Sequence, residues 1–137
     1  ELLSRFEVYA EQYILSIEVE AKLVKDIATT RIYPAAIKYI AEISATNSSL
    51  SNLGIALDKD TLEQAVALTN TMMSSVKKLS TAIDTHDFGS VEEHMTFCAK
   101  TICPLMLEVR ATVDSLETVV ADDYWPLPKY QEMLFIK

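Results

Sequence analysis

The chain contains very few residues that turn or break a helix. Its 137 residues include two Gly and four Pro, whereas a β-sandwich or a β-barrel needs a turn every ~8–12 residues. Apolar residues instead recur at three- and four-residue steps over long stretches, which is the period of an amphipathic helix. The sequence therefore predicts an all-α fold made of a few long helices.

The first predicted helix runs from about Ser4 to about Ser44. Its apolar stripe consists of Phe6, Ala10, Tyr13, Ile17, Ala21, Val24 and Ala28. Pro34 interrupts the pattern, because proline lacks a backbone donor and clashes with the carbonyl four residues earlier. Apolar periodicity resumes after it, so we predict a kink there. The Ser- and Asn-rich run 47–54, which contains Gly54, is predicted to end the helix.

Two more helices are predicted, each with a capping signal at its start. Asp60 with Glu63, and Ser90 with Glu93, resemble capping boxes in which the first residue is the N-cap. The apolar stripe of the second helix consists of Leu62, Val66, Thr69, Met73, Val76, Leu79 and Ile83. This stripe fits two rotations that differ by one position, because some of its members have redundant neighbours.

The third predicted helix keeps its apolar period for about thirty residues. Its stripe consists of Val91, Met95, Cys98, Ile102, Leu105, Val109, Val113, Leu116 and Val120. Pro104 lies inside this run and predicts a second kink. The two Gly fall at the two junctions between helices, and short junctions make sequential helices antiparallel.

The end of the chain departs from this helical pattern. Trp125 and Leu127 each precede a proline, which disfavours helix at both residues. Proline is favoured as the first residue of a helix, so a short helix is predicted over 128–134. We expect the large aromatic side chains of Trp125 and Phe135 to anchor this segment on the bundle.

The predicted architecture is a single domain over 1–137. It is an elongated antiparallel bundle of three long helices, the first and third kinked at Pro34 and Pro104, plus a short C-terminal helix. Because the chain starts at Glu1 with helical periodicity already present, we expect it to be excised from a larger protein.

Charge and cysteine usage narrow the classes of partner. A net charge of −8 repels phosphates, so neither nucleic acid nor an anionic membrane surface is an expected partner. No apolar run approaches the ~18 residues of a membrane span.

Cys98 and Cys103 lie about 140° apart around an α-helix, so no disulfide between them is predicted. Free thiols suit a reducing compartment, and a cytoplasmic location is expected.

No catalytic, cofactor-binding or metal-binding residue is assigned from the sequence. Metal sites in helix bundles use Glu-x-x-His, but Ile83 and Val91 stand three residues before His86 and His94. His94 also lacks the small residue and Lys-Gly that follow the acceptor of phosphotransfer bundles. Five sulfur-containing side chains are predicted to be core filler rather than ligands or nucleophiles. They are Cys98, Cys103, Met72, Met73 and Met106.

Two pairs of acidic residues lie on the predicted helices. Glu92 and Glu93 begin the third predicted helix, and Glu18 and Glu20 lie on the first. Glu20 lies close to the apolar stripe, so it is either a buried acid paired with an arginine (Arg31 or Arg110) or an acid at the exposed rim. The sequence does not decide whether Glu18 and Glu20 have a role beyond structure.

Two proline-containing segments resemble a known family. Residues 124–135, with the order Trp-Pro-Leu-Pro-Lys-Tyr followed by Leu-Phe, resemble the extreme C-terminus of type III glutamine synthetases. Residues 13–21 and 32–36 look like that family's Ile-Glu-Ala stretch and its downstream Ile-x-Pro-Ala. The segments bracket nearly the whole chain in the expected order.

This resemblance implies a C-terminal accessory domain of a large, oligomeric, ATP-dependent glutamate–ammonia ligase. ATP and Mg²⁺ or Mn²⁺ would bind in the parent, outside these residues, and no cofactor is implied here. The implied partners are the rest of the parent chain and its homo-oligomer subunits. The alternatives are a free-standing interaction or sensor bundle, which would bind a partner helix or a small ligand in an open apolar groove, and a helical carboxylate metalloenzyme.

Overall fold

The computed structural model describes residues 2–128, and all of their side chains except that of residue 3. This part of the chain is helical and contains no strand, which confirms the all-α prediction. Apart from its first residue, Pro128, the predicted short helix over 128–134 lies outside the described residues, and so does the predicted anchor Phe135. In the described part, no helix is long and apolar enough to cross a membrane.

The helical segments form three long helices. The first long helix joins α1 (Leu2–Ile27), a π-helical turn (Ala28–Ile32) and α2 (Tyr33–Asn52). The second long helix is α3 (Asp60–Ile83), and the third joins α4 (Val91–Phe97), a second π-helical turn (Cys98–Ile102) and α5 (Cys103–Glu117). A 3₁₀ turn (Asp122–Tyr124) follows.

Each of the two π turns ends two residues before a proline, Pro34 in the first long helix and Pro104 in the third. The N–H of Tyr33 donates to the carbonyl of Ala28, and the N–H of Cys103 donates to the carbonyl of Cys98. Both bonds span five residues, which defines a π turn. The widened turn accommodates a residue that has no N–H and that crowds the carbonyl four positions earlier. The helices therefore continue through both prolines, while the bend angle at each stays a prediction.

The first long helix extends further than predicted. It continues past Ser44 to Asn52 and ends where Gly54 adopts a φ of +76°. Ser and Asn cost less than about 0.7 kcal/mol each relative to Ala in a helix, so a run of them does not stop it. A residue in the left-handed region does, because that backbone conformation turns the chain out of the right-handed helix, and glycine adopts it without strain.

One of the two predicted caps is confirmed. Ser90 Oγ accepts the N–H of Glu93 at 3.2 Å, and Glu93 Oε2 accepts the N–H of Gly89 at 2.8 Å. The prediction that Asp60 is an N-cap is wrong, because α3 already begins there. Asp58 Oδ1 instead accepts the N–H of Asp60 at 3.0 Å, since an Asp side chain readily bonds the backbone two residues on.

The core shows which rotation the second helix adopts. Ala65 and Met72 are fully buried, whereas Val66 is exposed and Met73 is only half-buried. The stripe is therefore turned by one position from the sequence assignment at these sites. The largest fully buried side chains come from all three long helices, and they are Ile32, Met72, Leu79, Ile102, Leu116, Val109 and Cys98.

Contacts between elements give the direction of each helix. α1 packs against α4 and α5, and α2 packs against the 3₁₀ turn that follows the third long helix. The first and third long helices therefore run in the same direction, and α3, which contacts both of them, returns between them. Each helix is thus antiparallel to its neighbour in sequence, as the short connections predict.

The segment after the third helix lies against the bundle. Tyr124, Trp125 and Leu127 are partly buried and pack on the core, as predicted for Trp125. The ring of Tyr124 also lies 6.2 Å from that of Tyr39 on α2, tilted by 55°. This segment therefore joins the end of the chain to the first long helix.

The rotation of α3 predicts different costs for two adjacent methionines. Met72→Ala should destabilise the chain by about 2–5 kcal/mol, because it removes a fully buried side chain and leaves a cavity. Met73→Ala is the matched control and should cost clearly less, since its side chain is partly exposed. Urea unfolding measures both, and equal losses would contradict the observed rotation.

Candidate functional site

Acidic side chains of the first long helix make polar contacts with the third helix and the segment after it. Glu18 contacts His94, Glu20 contacts Arg110, and Glu42 accepts a hydrogen bond from Tyr124. The contacts follow the same order along both partners, as expected for two helices that run in the same direction. At Glu18, a carboxylate, an imidazole and a thiol lie close together.

Glu18 and His94 form a close pair between α1 and α4. Glu18 Oε1 lies 3.0 Å from His94 Nε2, and their side chains are 18% and 25% exposed. The imidazole is also stacked on Phe88, with ring centroids 4.3 Å apart and planes 12° apart. The ring centroid of Phe88 also lies 5.1 Å from that of Phe97. The imidazole is therefore held on one side by an aromatic ring and at one edge by a carboxylate.

Cys98 lies next to this pair, one helical turn after His94. Its side chain is fully buried, and its Sγ, a ring nitrogen of His94 and a carboxylate oxygen of Glu18 all lie within 4.8 Å of one another. Burial raises the pKa of the Cys98 thiol to about 11, and the nearby Glu18 charge adds to this effect. One oxygen, one nitrogen and one sulfur donor thus converge from two helices.

Tyr13 and Cys103 form a further polar contact between the first and third long helices. Burial raises the pKa of the Tyr13 phenol, and so does its side-chain hydrogen bond with Cys103. Cys98 and Cys103 stand at the two ends of the π turn, joined by its backbone hydrogen bond. The π turn therefore brings them closer around the axis than the 140° expected from α geometry. Both thiols are free.

Glu20 takes one of the two arginine partners considered from the sequence. It pairs with Arg110, and both side chains are about half exposed (42% and 50%). Exposed ion pairs contribute about 0–1 kcal/mol, so this pair fixes orientation more than it adds stability. Glu20 also lines an apolar cleft of about 350 Å³ between the first and third long helices, with Leu23, Val24 and Leu127 among its walls.

The group formed by Glu18, His94 and Cys98 was not predicted from the sequence. The Glu-x-x-His pattern places both ligands on one helix, whereas the acid here comes from a different helix than the histidine. The signal that was present is the spacing of His94 and Cys98, which are four residues apart and so share a helix face. His86, by contrast, is exposed in the loop before α4.

The first long helix also carries apolar side chains away from the core. Val8, Leu15, Val19 and Leu23 are each more than half exposed, and their spacing of seven, four and four residues puts them on one face. We call this set the outer stripe. It lies opposite the buried alanines of the same helix, which are Ala10, Ala21 and Ala28.

Comparison with known proteins identifies related sequences. Residues 1–51 match the family described as "Glutamine synthetase C-terminal domain". The chain is 33% identical over 147 residues to "Type-3 glutamine synthetase" from Dictyostelium discoideum and 28% identical over 152 residues to "Glutamine synthetase" from Bacteroides fragilis (strain YCH46). Both alignments include 100% of this chain and 20% of the relative. The chain therefore spans about a fifth of the length of these curated relatives.

The contact between Tyr124 and Glu42 predicts a pH-dependent contribution to stability. The hydrogen bond that the Tyr124 hydroxyl donates to the Glu42 carboxylate raises the pKa of Tyr124 above its unfolded value of about 10. The stabilisation is therefore complete below about pH 10 and is lost as the pH rises through the folded pKa. Tyr124→Phe should lower the urea midpoint near pH 8, and its difference from the unchanged protein should shrink as the pH rises past about 10.

Tyr39→Phe serves as the control for this measurement, because it keeps the ring that faces Tyr124 and leaves the hydroxyl of Tyr124 in place. A Tyr124→Phe difference that stays constant from about pH 8 to about pH 11 would show that the hydrogen bond to Glu42 does not stabilise the fold.

Proposed function

Because this chain belongs to the C-terminal domain family of type-3 glutamine synthetases, we propose that it is a non-catalytic accessory domain of an ATP-dependent enzyme that joins ammonia to glutamate. On this proposal ATP and Mg²⁺ or Mn²⁺ bind in the parent enzyme, outside these 137 residues. The domain would have a structural role and would contact the rest of the enzyme, within or between its subunits.

The contact role is supported by the first long helix, which carries apolar side chains on two opposite faces. α1 buries Ala10, Ile14 and Ala21 in the core and presents the outer stripe on its opposite side. A helix that is apolar on two faces is normally covered on both, and contiguous exposed apolar surface marks interaction sites. The relatives are about five times as long as this chain, so a protein of that length has a large additional body that could cover the stripe.

The family match supports the same helix as the contact element. It spans residues 1–51, which correspond almost residue for residue to the first long helix. That helix holds one π turn and the outer stripe, together with Glu18, Glu20 and Glu42. The enzyme would then use one face of this helix to hold the bundle together and the other face to attach the bundle.

The non-catalytic part of the proposal predicts that the 137-residue chain has no ligase activity. Supplied with glutamate, ammonia, ATP and Mg²⁺ or Mn²⁺, the chain should form no glutamine above a protein-free blank. The full-length enzyme, assayed in parallel by glutamine formation and ADP release, is the positive control. Turnover by the chain alone would overturn the non-catalytic role.

The contact part predicts that charges on the outer stripe disrupt the full-length enzyme. Leu15→Glu with Val19→Glu would bury two unpaired carboxylates in the interface, at a cost of several kcal/mol each. The expected result is loss of the native assembly by light scattering, or a lower melting temperature with reduced ligase activity.

The control adds two carboxylates with the same spacing elsewhere. Ala67 and Thr71 are exposed on α3, so Ala67→Glu with Thr71→Glu should leave assembly, melting temperature and activity unchanged, as exposed substitutions usually do within about 0.5 kcal/mol. If the stripe variant behaves like this control, the outer stripe is not a contact surface.

A further inference from the structure

We propose that Glu18, His94 and Cys98 bind a single Zn²⁺ ion between the first and third long helices. The three donors would be a carboxylate oxygen of Glu18, a ring nitrogen of His94 and the Sγ of Cys98. They belong to α1, α4 and the first residue of the second π turn.

The separations between the donors are close to those that zinc requires. Zinc binds oxygen and nitrogen at about 2.0–2.2 Å and sulfur at about 2.3 Å in tetrahedral geometry, which puts neighbouring donors roughly 3.3–3.8 Å apart. Here the Glu18 and His94 atoms are 3.0 Å apart, and all three donors lie within 4.8 Å of one another. Shifts of about 1 Å, within the reach of side-chain rotation, would bring them to tetrahedral positions.

The donor types select the metal. Mg²⁺ and Ca²⁺ prefer oxygen ligands, and a set that contains one sulfur and one imidazole disfavours them. Zinc accepts oxygen, nitrogen and sulfur together. The charges also balance, because one carboxylate and one thiolate neutralise the ion while the imidazole stays neutral. On binding, the Cys98 thiol releases its proton to solvent, and the Sγ–Zn bond replaces the S–H bond.

Surrounding residues already hold two of the donors in place. Phe88 stacks on the imidazole of His94, with ring centroids 4.3 Å apart, and this contact restricts the rotation of the imidazole. Cys98 is fully buried, and it occupies a π turn, a feature that often occurs at functional sites. Glu18 and His94 remain partly exposed, so a water molecule can reach a fourth position on the metal.

An ion pair between Glu18 and His94, with Cys98 as a core side chain beside it, is the alternative arrangement without a metal. The thiol of Cys98 is therefore the group that distinguishes a metal site from a pair. A test must detect a bond to this sulfur, and it must tolerate other metal sites elsewhere in a longer protein.

Cobalt provides that test in the whole protein. Co²⁺ should be added to the metal-free protein and to its Cys98→Ser variant, and the two spectra subtracted. We expect a sulfur-to-cobalt charge-transfer band in the near ultraviolet that disappears in the variant and is bleached when Zn²⁺ is added in excess. Sites elsewhere in the protein cancel in the subtraction. A difference spectrum without this band would overturn the proposal.

Two matched controls separate the site from its surroundings. Cys103→Ser removes the neighbouring thiol, and Glu20→Gln removes the neighbouring acid; both should keep the band. Glu18→Gln should weaken Co²⁺ and Zn²⁺ binding by more than the ~10–100-fold that follows loss of an outer contact. Circular dichroism checks that each variant is folded, and if Cys98→Ser is not, the contrast between Glu18→Gln and Glu20→Gln decides. Equal affinities in that pair would also overturn the proposal.

Discussion

Each of the two composite helices of this bundle must pass through a proline, and the rest of the structure depends on how it does so. A proline inside an α-helix lacks one donor and crowds the carbonyl four residues earlier. Both helices respond with a π turn that ends two residues before the proline. The first helix can then continue over residues 2–52, and the third continues into α5. Ile32 and Ile102, the last residue of each π turn, are buried in the core.

Much of this fold follows from the sequence, for reasons that particular residues make clear. Gly54 and the cap at Ser90 act through local backbone geometry, so they are predictable from a few neighbours. The rotation of α3 is not, because Val66 and Met73 have neighbours that suit the core equally well and only packing against other helices selects Ala65 and Met72. The group at Glu18 was beyond prediction, since its members come together only when α1 and α4 adopt one relative position.

The first long helix combines the features that the function proposed here would need. Its core face is lined by alanines, which allow neighbouring helices to approach closely. Its outer face carries larger apolar side chains, and three acids reach from it to the third helix and to Tyr124. One element therefore organises the bundle and, in the proposed function, would also contact the rest of the enzyme. The match of residues 1–51 to the glutamine synthetase C-terminal family falls on this same element.

The acid contacts of the first helix have a mechanical consequence. Glu18 and Glu42 are 24 positions apart, or about 36 Å along a helix that rises 1.5 Å per residue. Because Glu18 contacts the third helix and Glu42 contacts Tyr124 in the segment after it, the first helix cannot slide along its neighbour without breaking both contacts. A displacement of the first helix along its axis would therefore also move the segment around Trp125. The π turn at Ala28–Ile32, where the hydrogen-bond pattern changes, would be the point at which the first helix bends under such a displacement.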